Sequence, residues 1–217
     1  MPGKIKWPSA IQPLLKKYKK TKHPLDYENV YQLVVMVVLS AQDSDKHINQ
    51  LAPKLFEAFP NMKSLSKATE TKLESFVAGV RKGADKIKWL VEMGSVIKDN
   101  KKIPDTLEGL TALKGIGRKS ANVILREWGK PVEGIIVDLH VVRVAPRLGI
   151  VTVTDPVKIE NQLMEILPPK DWDAGMAMSF LGREICRPQP KCDICLMKEV
   201  CAYYKANGAG TGLIKKK

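Results

Sequence analysis

Apolar residues recur at intervals of three and four along most of this chain, and that spacing constrains its fold more than any other feature. Nine stretches carry it: 26–40, 44–59, 69–80, 84–98, 106–113, 119–128, 139–148, 156–167 and 173–185. An α-helix turns once in about 3.6 residues, so this spacing gathers the apolar side chains on one stripe. The alternation that a half-buried strand needs is confined to 135–137 and 150–153, too short to found a sheet. The sequence therefore predicts an all-α protein. Asp43, Ser44 or Asp45 can cap the second helix and Thr69 the third, because a side-chain oxygen there accepts an otherwise unpaired amide. Trp89, Trp128 and Trp172 fall at helical spacings and are expected in the core, whereas His23 and His47 are expected to be solvated. Of 217 residues 44% are hydrophobic, enough to build a core and to set wholesale disorder aside.

Charge narrows the partner. The 36 Lys and Arg outnumber the 23 Asp and Glu, for a net charge of +13. Such an excess favours a polyanion, nucleic acid first, with simple solubility as the bland alternative. The longest apolar run, 33–39, is seven residues and suits a buried helix, not a membrane span. The first residues lack the apolar centre of a signal peptide, so a cytoplasmic protein is expected; separately, a monomer is expected, and a DNA partner would make it nucleoid-associated. From residue 204 on, the Gly-rich and then basic end is expected to be a disordered tail.

All four cysteines, Cys186, Cys192, Cys195 and Cys201, lie close together as C-x5-C-x2-C-x5-C. A disulfide framework spreads its cysteines across a fold, and a reducing cytosol disfavours one. Four thiolates this close can converge on one centre, either zinc or a 4Fe–4S cluster.

The stretch 110–121 reads Leu-Thr-Ala-Leu-Lys-Gly-Ile-Gly-Arg-Lys-Ser-Ala. A short helix should end at Gly115, Ile116 should point inward, and a second helix should open after Gly117. Glycines allow the tight turn and a close approach by another surface. The free amides of the second helix carry partial positive charge and can hold a phosphate, which anchors DNA without reading its sequence. Lys119 stands in that helix's first turn, where the dipole and Arg118 both oppose an ammonium. A neutral amine there could act as a nucleophile, and a phosphate-contacting lysine is the bland alternative. Asp138, in Gly134-Ile-Ile-Val-Asp-Leu-His, follows an apolar run and begins a helix, so at the least it is an N-cap.

Gly115-Ile-Gly-Arg-Lys119, followed nineteen residues later by Asp138 in Val-Asp-x-His-Val, resembles the endonuclease III family of helix-hairpin-helix DNA glycosylases. Leu39-Ser-Ala-Gln42 and the C-terminal cysteines extend the likeness over roughly 25–203. It implies a six-helix barrel domain, 22–131, holding the hairpin at 105–128, beside a cluster domain made of both chain ends, 1–21 and 132–203. It also implies duplex DNA with damaged bases or abasic sites as the partner, with DNA crossing the cleft between the two. Lys119 is then the nucleophile toward C1′ of the damaged nucleoside, and Asp138 assists base loss and proton transfer. The four cysteines would hold a 4Fe–4S cluster. Relatives that remove a base without cutting the strand lack this lysine, so a bifunctional glycosylase and AP lyase is expected, with oxidised pyrimidines as substrates. Gln42 would enter the gap left by an extruded base. Val80, in a loop one residue short, would be the second wedge, and Gly115, Gly117, Arg118, His140, Arg187 and Lys191 would contact DNA. The first cysteine interval is five residues where the family has six, and Leu139 replaces a usual threonine. A same-fold enzyme for an alkylated or mismatched base is the nearest alternative. A DNA-binding module without chemistry leaves Lys119 and Asp138 unused, and an electron carrier leaves the hairpin unexplained.

Overall fold

A computed structural model describes residues 5–207, which divide into two compact units, Lys22–Glu133 and a second made of residues 5–21 with 134–207. No strand occurs among the described residues, and the family resemblance is matched by an all-helical chain. The second unit opens the chain with α1 (Trp7–Ala10) and α2 (Gln12–Tyr18). These short helices had no clear periodic signature, yet Ile11 and Leu14 are fully buried.

The unit Lys22–Glu133 is built on α3 (Val30–Ser40), whose residues from Leu33 to Leu39 are all buried. The helix starts four residues later than its apolar spacing suggested. Asn29 is extended there and its side chain accepts the Gln32 amide, which fixes the first turn. Of the three caps proposed for α4 (Asp45–Ala58), Ser44 serves, its hydroxyl accepting the His47 amide at 3.1 Å. Next comes α5 (Met62–Leu65), closed by a reciprocal Asn61–Ser64 capping box. Thr69 caps α6 (Glu70–Glu74), which stops well short of residue 80 as the chain turns toward Gly79 at φ +78°. In α7 (Gly83–Ile97), Gly94 lies so close to α5 that a Cβ would meet the Leu65 carbonyl at 2.8 Å. The hairpin helices α8 (Leu107–Thr111) and α9 (Arg118–Trp128) complete the unit.

The chain then returns to the two-ended unit with α10 (Leu139–Leu148), α11 (Pro156–Ile166), α12 (Ala174–Glu184) and α13 (Ala202–Asn207). Almost every residue of α12 is buried, so it forms the axis of this unit. Gly182 lets α10 come close, since a Cβ there would lie 2.8 Å from His140 Cβ. On another side α2 packs against α12. The Tyr18 and Phe180 rings stand 5.6 Å apart, and the Tyr18 hydroxyl donates to Glu184 at 2.5 Å. Helix α13 runs through the first residues of the expected tail, and 208–217 lie outside the described residues.

Two expectations about side chains change. Trp89, Trp128 and Trp172 are half-buried, and Trp7 is the tryptophan found in the core. His23 and His47 are engaged, not simply solvated: His23 Nδ1 accepts the Leu25 amide, and His47 Nδ1 lies 3.0 Å from Asp43.

Candidate functional site

The hairpin places its two glycines under different demands. Gly115 has φ +85°, and a Cβ there would meet the Trp89 ring at 2.6 Å, so both conformation and packing require glycine. Ile116 is 4% exposed and anchors the turn from within. Gly117 is the N-cap of α9 with an ordinary extended backbone, no side-chain cap, and no atom within 4 Å of a Cβ. The start of α9 is therefore open at Gly117, which has no side chain to cap the first amides, the arrangement that receives a phosphate. Lys119 is exposed in that first turn. Beside it, Arg118 donates to the Glu133 carbonyl at 2.6 Å, while the buried Asn122 accepts the Glu133 amide at 2.9 Å. The segment after α9 is thus tied back along the helix that carries Lys119.

Within the same unit, Gln42 follows α3 as an exposed residue in the left-handed region, φ +61°. Val80 does not stand out as a wedge should: it is 6% exposed. In this short loop the apolar side chain turns into the core and the exposed positions pass to Arg81 and Lys82. The Asp43 carboxylate accepts the Arg81 amide at 2.8 Å.

Asp138 lies in the other unit. Its Oδ1 accepts the amides of His140 and Val141, both at 2.9 Å, as the N-cap of α10. Its Oδ2 accepts the Ser179 hydroxyl at 2.6 Å, from a residue of α12 that is 1% exposed. Both oxygens are thereby held in place, one by backbone and one by a buried side chain. Leu139, next to it, is 70% exposed, and the half-buried His140 has Nδ1 3.2 Å from Arg143 Nη2.

All four cysteines line one cavity, together with Arg147, Tyr203 and Tyr204. Among the described residues no group of three or more His, Cys, Asp or Glu is arranged to hold a single metal ion. Burial pushes the Cys192 thiol up, and Cys201 and Cys186 push it further; burial and the same two neighbours raise Cys195. Four thiols drawn together in this way are a donor set suited to a cationic centre once deprotonated. Arg147 organises the rim. It donates to the carbonyls of Arg187 at 2.7 Å and Pro188 at 3.1 Å, lies 3.7 Å from Cys186 Sγ, and stacks 4.8 Å from the Tyr203 ring centre. Arg143 holds the Cys186 carbonyl at 3.0 Å. Arg187 and Lys191 are exposed on the first cysteine loop.

Sequence reasoning missed Ser179, Arg147 and Asp43 as supports. Asp43 had signalled only as a possible cap.

The model of the HhH-GPD superfamily base excision DNA repair proteins matches residues 35–169. Endonuclease III of Synechocystis sp. is 31% identical over 212 residues, covering 95% of this chain and 97% of that protein. Endonuclease III of Thermotoga maritima is 33% identical over 186 residues, covering 83% and 86%. Among solved structures, a trapped covalent intermediate of endonuclease III with DNA superimposes with a TM-score of 0.81 at 28% identity, covering 92% of this chain and 95% of that one.

Proposed function

Because the chain belongs to the HhH-GPD superfamily of base excision DNA repair proteins, and is accordingly a DNA glycosylase and AP lyase, we propose that Lys119 is its nucleophile and Asp138 its assisting carboxylate. The observation that carries this is an exposed lysine in the first turn of a helix whose open amides can hold the phosphate beside the target nucleoside. The Lys119 amine attacks C1′, the glycosidic bond breaks, and the base leaves with its electron pair and takes up a proton. The C1′–O4′ bond then opens, O4′ leaving as a hydroxyl with the proton given up by the amine, and an iminium forms. The resulting iminium loses a C2′ proton, and the 3′ phosphate departs with the C3′–O electrons, which nicks the strand. Asp138, fixed by two amides and Ser179, holds a negative charge ready for the cationic sugar and for proton transfer.

The partner in this reading is duplex DNA carrying an oxidised pyrimidine or an abasic site, bound by a cytoplasmic monomer. Gly117, Arg118, Gln42, His140, Arg187 and Lys191 are its contact residues, and Gly115 shapes the turn beneath them. Cys186, Cys192, Cys195 and Cys201 hold a 4Fe–4S cluster, a reading supported by the family resemblance and by the four cysteines lining one cavity. When bound, such a cluster supplies a structural cross-link for the Arg187–Lys191 loop. No helix among the described residues is long and apolar enough to cross a membrane.

Incubation with single-lesion duplexes and borohydride tests the chemistry. The wild type should be trapped covalently on abasic and oxidised-pyrimidine DNA. Lys119→Gln should lose both trapping and strand cleavage while still binding DNA through the hairpin amides. Persistent trapping by Lys119→Gln would assign the nucleophile to another amine, and excision confined to alkylated or mismatched bases would reassign the lesion.

A further inference from the structure

The chain segment around Gln42 is held from both sides. On one side Lys86, 1% exposed, donates its ammonium to the carbonyls of Leu39 at 2.6 Å and Ala41 at 2.7 Å. These are among the last carbonyls of α3 and its cap, which no further helical turn satisfies. On the other side Asp43 accepts the Ser44 amide and His47 Nδ1 through Oδ1, and the Arg81 amide through Oδ2. Between these two anchors Gln42 sits at φ +61°, a region that non-glycine residues adopt only when their surroundings impose it. The segment on the far side of the Asp43–Arg81 bond has the same character, with Lys82 at φ +56° and Gly79 at φ +78°, where a Cβ would lie 3.9 Å from the His47 ring. Three non-glycine residues of the described chain are left-handed, and two of them flank this one hydrogen bond.

We infer that the Gln42 turn and the 79–82 turn form a single preset clamp latched by Asp43, in which Arg81, not Val80, is the second residue presented to the gap left by an extruded base. The inference rests on the proposed base-extruding function. Val80 is committed to the core, and its burial brings the Arg81 amide to Asp43, leaving the Arg81 side chain exposed. An apolar wedge only fills space. A guanidinium can stack on neighbouring bases and donate to the acceptor edge of the base that has lost its partner. Presetting both turns spares the ordering cost of loops that would otherwise close on DNA.

Binding alone tests this, separately from the chemistry at Lys119. The readout is the ratio of affinities for a duplex holding a tetrahydrofuran abasic analogue and for the same duplex intact. Asp43→Ala and Arg81→Ala should each lower that ratio roughly tenfold, the scale of one lost stacking or hydrogen-bonding contact. Asp43→Asn keeps a carbonyl oxygen for the Arg81 amide and should retain most of the preference. If Asp43→Ala does not fold, the exposed Arg81→Ala and the conservative Asp43→Asn still decide. An unchanged ratio in Arg81→Ala, or affinities for both duplexes falling together in Asp43→Ala, overturns the clamp. A wild type that shows the ratio, and its dependence on Asp43 and Arg81, but is never trapped by borohydride keeps the clamp and loses the nucleophile assignment.

Discussion

Gly115 and Gly117 stand two positions apart and can be separated by experiment. Alanine at 115 must adopt φ +85° and displace the Trp89 ring, so Gly115→Ala should cost about 2 kcal/mol or more in thermal or urea denaturation. Alanine at 117 meets nothing and loses only the modest advantage of glycine as an N-cap, about 1 kcal/mol or less. Its methyl would nevertheless stand where a phosphate approaches the α9 amides, so Gly117→Ala should bind duplex DNA several-fold more weakly while its melting temperature falls by about 4 °C at most. Asp138→Asn can still accept the His140 and Val141 amides, so the fold should survive while base excision falls by at least about a hundredfold, as loss of a charged group in a transition state does. Full activity in that variant would reduce Asp138 to a cap. Ser179→Ala leaves Oδ2 without its buried donor and should cost about 1 kcal/mol. Asp43 adds a pH signature. Burial alone would raise its pKa, but the Arg81 amide, His47 and the Ser44 amide bring it from 3.8 to about 2. A carboxylate with a lowered folded-state pKa contributes stability above its unfolded value and loses it as pH falls toward the folded one. The stability gap between wild type and Asp43→Ala should therefore be constant near neutrality and narrow between pH 3.8 and about 2. Ser44 and Thr69 were legible because the amides they cap lie three residues on, and Gly115 because the turn it makes is local, although its contact with Trp89 is not. Asp43–Arg81 and Ser179–Asp138 span 38 and 41 positions, so no local spacing could announce them.

Helices were readable where one stripe of apolar residues faced one core. In α4 and α10, polar residues mark the solvent side, and a side-chain cap begins each helix within a residue of the expected start. Spacing failed at α6, where Phe76, Val77 and Val80 keep helical intervals although the backbone leaves the helix after Glu74. Val77 and Val80 are buried, and Phe76 half-buried, by a turn that also brings Arg81 to Asp43. It failed again at α1 and α2, which are too short for a period to be counted. The end of α3 depends on a residue far along the chain, the buried Lys86, whose pKa burial pushes below the usual lysine range. Lys86→Met keeps the aliphatic stem but removes the donor from the Leu39 and Ala41 carbonyls. It should destabilise the protein by about 1–3 kcal/mol, measured by urea unfolding, as expected for buried acceptors left unsatisfied. No change in the unfolding midpoint would mean that those carbonyls find water instead.

At the scale of the molecule, the net charge of +13 is the property most plainly written in the sequence. If about five phosphates are neutralised on binding, log K plotted against log salt should have a slope near −4 to −5, and a flat plot would remove the basic surface from the DNA footprint. The cysteine cavity gives a second test: the purified protein should carry four iron and four sulfide per chain by the cluster assignment, and Cys195→Ser should lose its colour and solubility together. A colourless, zinc-loaded and active preparation would overturn that assignment. The two-ended unit also imposes an order on biosynthesis. Ile11 and Leu14 are fully buried, and α2 packs against α12, whose first residue is Ala174. At ribosomal rates of about 5–20 residues per second, that helix follows α2 out of the ribosome by roughly 8–30 s. The contiguous unit Lys22–Glu133 can close in the meantime, while the apolar stripe of α2 waits on the nascent chain for α12 to emerge.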